Sequence, residues 1–192
     1  MTVAFVLGNG RSRQGLDLIQ LQSHGAVYGC NALYREFAPS VLVATDRPIA
    51  DAIQASGYAL ENTFYTRRPL RESGAHRIPV QYHGFSSGPV AVALAALHGH
   101  TRIYLLGFDL GADANQQFNN VYADTEFYKK TGDLPTYTGN WCRQIGQITR
   151  DFAGVDFVRV CGDTTALVPE FGALTNLSHQ DFASFRQSIN NL

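Results

Sequence analysis

Short apolar runs alternate with segments of helical periodicity along the chain. Runs rich in apolar and β-branched residues predict six buried strands, at Val3–Leu7, Ala26–Tyr28, Val41–Ala44, Thr63–Tyr65, Arg102–Leu106 and Phe157–Val160. Helical spacing predicts helices around Leu16, Ile19 and Leu21 and over Pro48–Ala55, Gly88–His98, Trp141–Phe152 and Gln180–Ile189. Strands that alternate with helices in this way predict an α/β domain with a mostly parallel sheet.

Glycines and small polar residues follow several predicted strands and precede the helix over Gly88–His98. They are Gly8, Asn9 and Gly10 after the first strand, Asn31 after the second, Asp46 after the third, Ser86, Ser87 and Gly88 before the helix, and Asp109 after the fifth strand. Ligands of parallel sheets bind at the carboxyl ends of the strands. We therefore expect these residues to share one crevice.

The residue types at these strand ends favour a nucleotide. Glycine allows close approach of backbone N–H groups, and a Ser-Ser-Gly turn at a helix start offers unpaired N–H donors to a phosphate. Asparagine and aspartate side chains hydrogen-bond to a sugar or base. The alternative is that each residue is a helix cap or turn residue. The first loop is not a dinucleotide fingerprint, because its third glycine falls at Gly15, and it lacks the Gly-Lys-Ser/Thr of a Walker A loop.

Composition and charge narrow the class of protein. The 192 residues, with 45% hydrophobic and 16% charged, are typical of one globular domain, so we expect 1–192 to form a single nucleotide-binding unit. A net charge of −1 gives no reason to expect a nucleic acid or an anionic membrane as partner. The three cysteines lack CxxC spacing, which argues against a disulfide framework or a zinc site. No apolar run approaches the roughly 20 residues of a membrane span, and no basic region precedes the first apolar run as in a signal peptide. These features predict a cytoplasmic protein without a membrane span; a homo-oligomer stays open.

Four motifs together resemble the bacterial lipooligosaccharide sialyltransferases of glycosyltransferase family 42. They are FVLGNGRS, YGCN, the Asp-Arg-Pro strand end and SSGPVAVALAALHGHTRIYLLGFDL. That family has a GNGPS-type loop, a Cys-Asn strand end, an Asn-Pro strand end and a Ser-Gly helix followed by an I-Y-L-x-G-x-D strand. The wider group includes uncharacterised proteins, hydroxymethylpterin pyrophosphokinases of the archaeal type and, more weakly, small phage-encoded relatives. The resemblance is good to about Leu110 and continues loosely to about Leu167.

The resemblance implies a Rossmann-like, three-layer α/β/α domain that binds the cytidine monophosphate part of an activated sugar. Carried over by position, the nucleotide-binding candidates are Gly8, Asn9, Gly10, Asn31, Ser87 and Gly88, to which the strand ends add Asp46, Ser86 and Asp109. Asp46 stands where the family has an asparagine, so ribose hydroxyls are its expected partners. The family's catalytic histidine lies in a Tyr-x-Gly-His motif, whereas this chain has Tyr137 followed by Asn140 at the matching positions. Asparagine has no pKa useful to a general base.

Another residue must therefore act as the base if the chain transfers a sugar. His83, close to the Ser-Ser-Gly turn, or a tyrosine of the lid is the expected replacement, and Tyr137 and Asn140 complete the catalytic candidates. Residues 111–139 have no clear period and follow the Asp109 strand end, which predicts a lid or flap over the crevice; a mobile surface loop is the alternative. Tyr122 and Tyr128 are the lid tyrosines that we expect to reach a phosphate.

Two further groups of residues carry alternatives. Four arginines lie within Thr66–Arg77, either as a solvated loop or as a site for an anionic acceptor or a phosphate. Histidine, cysteine and acidic residues show no convincing metal spacing, but Asp46 and Asp109 could together bind Mg²⁺ beside a diphosphate.

Three functions fit these patterns. The first is a nucleotide-binding, glycosyltransferase-like protein that takes a sugar from a cytidine nucleotide by direct displacement. The second is a Mg²⁺-dependent phosphoryl or pyrophosphoryl transferase of the hydroxymethylpterin pyrophosphokinase-like group, in which positioning and cations supply most of the catalysis. The third is a non-catalytic nucleotide-binding or structural protein. Each nucleotide-binding form takes a nucleotide or nucleotide-sugar as its ligand, and whether the chain is an enzyme stays open at this point.

Overall fold

Eight strands pair in parallel into a single sheet in the computed structural model, which describes residues 2–190. The strands are β1 (Val3–Leu7), β2 (Ala26–Cys30), β3 (Val41–Ala44), β4 (Phe64–Thr66), β5 (His76–Arg77), β6 (Arg102–Leu106), β7 (Asp156–Cys161) and β8 (Leu177–Asp181). Their order across the sheet is β5-β4-β3-β2-β1-β6-β7-β8. The chain therefore moves outward from β1 to one edge and then continues on the other side of β1, so the order reverses between β1 and β6.

Helices cover both faces of this sheet. They are α1 (Leu18–His24), α2 (Arg47–Ala55), α3 (Tyr58–Glu61), α4 (Ser87–Leu97), α5 (Gly139–Asp151) and α6 (Phe182–Asn190). One apolar core lies between the sheet and helices α4 and α5, and a second lies between the opposite face and helices α1, α2 and α6. The predicted α/β class with three layers and a Rossmann-like arrangement is confirmed, and the sheet is parallel throughout the described residues.

Burial on both faces explains why the central strands are continuous apolar runs. Along β1, Ala4 and Val6 belong to the core under α4, whereas Val3, Phe5 and Leu7 belong to the opposite core. Parallel strands covered by helices on both sides have this composition because no position faces water. Helix α4 is buried nearly all round, as its alanines and leucines predict, since it packs on four strands and on α5.

The sequence prediction was wrong at both edges of the sheet. Strand β5 has two exposed residues and gives no periodic signal. Strand β8 has the polar sequence LSHQD, in which only Leu177 is buried, and its last residues were assigned to a helix that in fact begins at Phe182. An edge strand packs less side chain than a central one, so its composition carries less information. Within residues 2–190 no helix has the length and apolar character needed to cross a membrane.

Candidate functional site

A cavity of about 410 Å³ lies at the carboxyl ends of β3, β2, β1 and β6, where the strand order reverses. The structure brings all nine residues predicted to bind a nucleotide to its wall: Gly8, Asn9, Gly10, Asn31, Asp46, Ser86, Ser87, Gly88 and Asp109. The remaining wall comes largely from residues 111–139 and from the start of α5. The position follows from the topology, because loops that leave neighbouring strands in opposite directions open a crevice between them.

The N-terminus of α4 opens into this cavity with unused donors. The N–H of Ser86, which precedes the helix, donates to Oε1 of Gln144 at 3.0 Å. Within residues 2–190 the N–H groups of Ser87 and Gly88 have no acceptor, and Pro89 has no N–H to satisfy. Two free donors and the positive end of the helix dipole favour an anion at this point.

The side chains of Ser87 and Asn31 are fixed next to these donors. The Ser87 hydroxyl accepts from the N–H of Thr45 at 2.9 Å and donates to Oδ1 of Asn31 at 2.9 Å. Asn31 has a φ of 53°, in the left-handed region that asparagine tolerates better than most residues. Oδ1 of Asn31 accepts from Ser87, whereas its amide NH₂ donates to no residue in the described part of the chain and is free for a ligand.

Gly8 and Gly10 lie where the loop after β1 crosses the loop after β6. The N–H of Gly8 donates to the carbonyl of Leu106 at 2.7 Å, and the N–H of Gly10 donates to the carbonyl of Gly107 at 2.8 Å. A Cβ atom on Gly8 would lie 2.5 Å from the carbonyl oxygen of Gly107. Both glycines therefore line the cavity, but their N–H groups are already used. The close approach that requires Gly8 is to Gly107, whereas a Cβ atom on Gly10 would meet the side chain of Asp109 as well as the carbonyl of Gly107. Packing between the two loops is thus a sufficient reason for both glycines, and their role in making room for a ligand stays a prediction.

Asp109 is a structural centre rather than an open carboxylate. It is 3% exposed and accepts hydrogen bonds from the N–H and the hydroxyl of Ser12. It also accepts from the side chains of Asn119, Thr164 and Thr165. These bonds join the loop after β1, residues 111–139 and the loop after β7. The predicted joint Mg²⁺ site with Asp46 therefore lacks a free Asp109, and no group of three potential metal ligands occurs within residues 2–190.

Residues 111–139 form one wall of the cavity and reach the strand-end loops by hydrogen bonds. The N–H of Val121 donates to the carbonyl of Asn9 at 2.8 Å. The hydroxyl of Tyr128 accepts from Nδ2 of Asn9 and from the N–H of Ala32, both at 3.3 Å. Tyr128 therefore lines the cavity, as expected of a lid tyrosine, whereas opening and closing of this segment stays a prediction.

Tyr122 lies outside the cavity wall, in a buried cluster beneath the first loop. Its hydroxyl is hydrogen-bonded to Glu36 and to Nη2 of Arg13, the latter at 2.8 Å. Arg13 also donates from Nε to the carbonyl of Gly8 at 2.8 Å. Burial is the main reason why the pKa of Tyr122 is raised. Tyr122 thus holds residues 111–139 against the loop after β1, and its hydroxyl is not placed to reach a phosphate in the cavity.

The three predicted catalytic residues do not reach the cavity wall. His83 is exposed and its Nε2 lies 3.2 Å from the carbonyl oxygen of Arg67. Tyr137 is 77% exposed. Asn140 is exposed on the first turn of α5, where the next residue, Trp141, lines the cavity. Successive helix positions point about 100° apart, so placing Trp141 at the cavity turns Asn140 away.

The ionisable side chains that do line the cavity are mostly neutral or occupied. Burial raises the pKa of Cys30 to about 12, so its thiol stays protonated at neutral pH. Burial likewise raises the pKa of Tyr128. Nζ of Lys129 donates to the carbonyl of Leu134 at 3.2 Å. Asp46 is exposed at the mouth, and its carboxylate has no partner within the described residues.

Sequence reasoning missed several wall residues. Cys30, Phe108, Phe127, Lys129 and Trp141 all contribute to the cavity. Cys30 directly precedes Asn31, and Phe108 directly precedes Asp109, so both could have been found from these neighbours. Nothing in the local pattern distinguishes Phe127 or Trp141 from core aromatics.

Comparison with known proteins gives a structural neighbour but no sequence relative. No family model matches the sequence, and no curated protein matches it. Among solved structures the chain is similar to the sialyltransferase CstII from Campylobacter jejuni in complex with a substrate analogue, cytidine-5'-monophosphate. The similarity covers 91% of this chain and 84% of that chain, at 14% identity and a TM-score of 0.50. The resemblance expected from the motifs therefore holds at the level of the fold.

Proposed function

We propose that the cavity binds a cytidine nucleotide and that the chain transfers a glycosyl group from it. The observation that carries this proposal is the pair of unpartnered N–H groups of Ser87 and Gly88 beside the free amide NH₂ of Asn31. A cavity of about 410 Å³ is large enough for a nucleotide. The fold of a sialyltransferase solved with cytidine-5'-monophosphate supports the choice of base.

The cavity suits a single phosphate better than a diphosphate or triphosphate. The α4 N-terminus supplies two donors and a partial positive charge. Lys129 is the cationic side chain of the wall, and its ammonium group is engaged by the carbonyl of Leu134. Asp46 adds a negative charge at the mouth. A phosphodiester that links a nucleoside to a sugar carries one negative charge, which two N–H donors and the Asn31 amide can satisfy.

Asp46 is the proposed general base of the transfer. Direct displacement forms a bond between the acceptor oxygen and the anomeric carbon, while the bond from that carbon to the phosphate oxygen breaks. The acceptor hydroxyl proton goes to the base, and the nucleotide leaves as a monophosphate with the bonding electron pair. Asp46 fits this role because its carboxylate is free and lies next to Thr45, which contacts Ser87 at the start of α4. His83, Tyr137 and Asn140 do not line the cavity.

The test of binding is calorimetric titration with CMP, CDP and CTP and their uridine, adenosine and guanosine counterparts, with and without Mg²⁺. We expect CMP to bind without metal dependence. The Asn31→Gly variant keeps the left-handed backbone and removes the amide, so it should weaken CMP binding about tenfold, equal to about 1.4 kcal/mol. Asn140→Gly is the matched control outside the cavity. Failure of every nucleotide to bind would refute the proposal.

A non-catalytic nucleotide-binding protein is the second candidate, because the three catalytic residues expected from the motifs lie outside the cavity. Release of free nucleotide from CMP-linked and UDP-linked sugars distinguishes the two. A transferase should hydrolyse a donor slowly, with a rate that Asp46→Asn lowers at least tenfold while CMP affinity is kept. Tight CMP binding without any release of nucleotide would establish the second candidate. Mg²⁺-dependent phosphoryl transfer has less support, because Asp109 is fully hydrogen-bonded.

A further inference from the structure

Residues 66–83, which we call the arginine stretch, concentrate positive charge in a chain that is slightly acidic. The stretch contains four arginines and one glutamate, a formal charge of +3, whereas the whole chain has a net charge of −1. It connects β4 through β5 to α4. No function described above uses it.

The strand order places the arginine stretch next to the cavity. Arg67 directly follows β4, and Arg77 is the last residue of β5. From the sheet edge inward, the carboxyl ends present Arg77, then Arg67, then Asp46 after β3 and Asn31 after β2. Neighbouring strands lie about 4.8 Å apart, so the arginines begin one strand beyond Asp46, on the side away from β1. Nη2 of Arg67 also donates at 2.8 Å to the carbonyl of Phe85, which lies two residues before the start of α4.

A buried glutamine fixes the backbone of the stretch. Gln54 is 6% exposed, and its Oε1 accepts from the N–H of Leu70 at 2.7 Å and from the hydroxyl of Ser73 at 2.9 Å. Its Nε2 donates to the carbonyl of Arg68 at 3.4 Å. The carbonyl of Arg67 lies 3.4 Å from Nη1 of Arg77 and 3.2 Å from Nε2 of His83. The backbone that carries these arginines is thus fixed by the fold, while the side chains of Arg68 and Arg77 are exposed.

Most of this charge is not neutralised by the protein. Arg71 pairs with Glu72 at 3.5 Å, but both side chains are largely exposed. Arg67, Arg68 and Arg77 have no carboxylate partner within residues 2–190, and Nε of Arg67 is buried without an acceptor. An anion bound by these arginines would gain charge-assisted hydrogen bonds without displacing a carboxylate of the protein. Arginine is also the side chain best suited to phosphate and carboxylate groups.

We propose that the arginine stretch is an acceptor subsite that binds a phosphate or carboxylate group of the acceptor. This inference rests on the proposed function, because it assumes that a nucleotide-linked sugar occupies the cavity. An acceptor whose anionic group contacts Arg68 and Arg77 would extend a hydroxyl toward Asp46, which follows the strand next to β4 and lies nearer to the nucleotide. The substrate class is therefore a hydroxyl compound with an anionic group, such as a sugar phosphate or a sugar acid, rather than a neutral sugar.

The test measures binding of glucose 6-phosphate, glucuronate and glucose by calorimetry to protein saturated with CMP. The variant Arg68→Gln/Arg77→Gln removes two exposed arginines, and Arg71→Gln is the control in the same stretch because it is 95% exposed and already paired. We expect the wild type and the control to bind one of the two anionic probes, and glucose at least tenfold more weakly. The double variant should lose at least tenfold in anion affinity with an unchanged melting temperature and CMP affinity.

The two anionic probes identify which group the subsite takes. Equal affinity for glucose and the anions, or anion binding that survives in the double variant, would overturn the proposal, as would the absence of binding by both anions. Because CMP titration is done on the same samples, failure of the proposed function is recognised separately. If the protein does not bind CMP but binds glucose 6-phosphate through Arg68 and Arg77, the anion subsite stands and its role in glycosyl transfer is refuted.

Discussion

Gly8 gives a sharp test of why glycines flank Asn9 in the first loop. The structure attributes the requirement to the crossing of two loops, since a Cβ on Gly8 would approach the carbonyl oxygen of Gly107 to 2.5 Å. An ordinary contact between such atoms is about 3.3 Å or more, so Gly8→Ala forces a backbone shift of roughly 0.8 Å. The same shift strains the hydrogen bond from the Gly8 N–H to the carbonyl of Leu106.

The expected cost lies at the upper end of the range for overpacking a buried position. Overpacking typically costs about 1–3 kcal/mol, and here the neighbour is backbone, which cannot rotate away. We therefore expect Gly8→Ala to lower the free energy of unfolding by about 3 kcal/mol. In a domain of this size, 1 kcal/mol changes the melting temperature by about 2–4 °C, so the loss should be about 6–12 °C.

Thermal and urea unfolding of three proteins would decide the question. Gly154→Ala is the matched control, because its added Cβ meets nothing within 4 Å and its backbone is not in the left-handed region. The control should be as stable as the wild type or slightly more stable, since alanine reduces the entropy of the unfolded chain. A Gly8→Ala protein with wild-type stability but lost CMP affinity would refute the loop-crossing explanation and restore the ligand-based one.

Three further predictions concern Asp109, Cys30 and the histidines near the end of α4. Asp109→Asn should lower the free energy of unfolding in urea by about 2–4 kcal/mol, because charge-assisted hydrogen bonds are lost in a buried site; an unchanged urea midpoint would contradict this. Cys30, whose pKa is raised to about 12, should react with iodoacetamide at pH 8 at least about 100-fold more slowly in the folded protein than in urea, as mass spectrometry would show. Burial lowers the pKa of His98 and His100, so the unfolded chain binds more protons below pH about 6.5. The melting temperature should therefore fall between pH 7 and pH 5, and the double variant His98→Gln/His100→Gln should show a smaller fall.

The central part of the fold could be predicted because its strands are buried on both faces. Val3–Leu7, Val41–Ala44 and Arg102–Leu106 were predicted with the observed bounds, since each is a continuous apolar run. Strand β8 was not predicted, because an edge strand with one buried residue has no such apolar run. The pattern of apolar residues indicates which strands are buried, so it does not identify strands that are mostly exposed.

The predicted residues that do lie at the cavity share a simple geometric origin. Asn9, Asn31 and Asp46 each follow a parallel strand, so the topology alone brings them to one edge. The catalytic candidates depended instead on which way a side chain points from a turn or a first helical turn. That direction placed Trp141 rather than Asn140 at the cavity, and it depends on how α5 packs against α4. A single sequence contains no direct record of such packing.

The position of β1 in the middle of the sheet has a consequence for how the chain reaches its folded state. Val3 of β1 pairs with Arg102 of β6, so the sheet closes only after nearly a hundred intervening residues have been arranged. Pairings between distant parts of a chain slow folding because a long loop must be closed before any contact compensates for its entropy. The cavity wall takes Gly8 and Asn31 from one side of this closure and Asp109 from the other. The cavity is therefore complete only once the two halves of the sheet have joined.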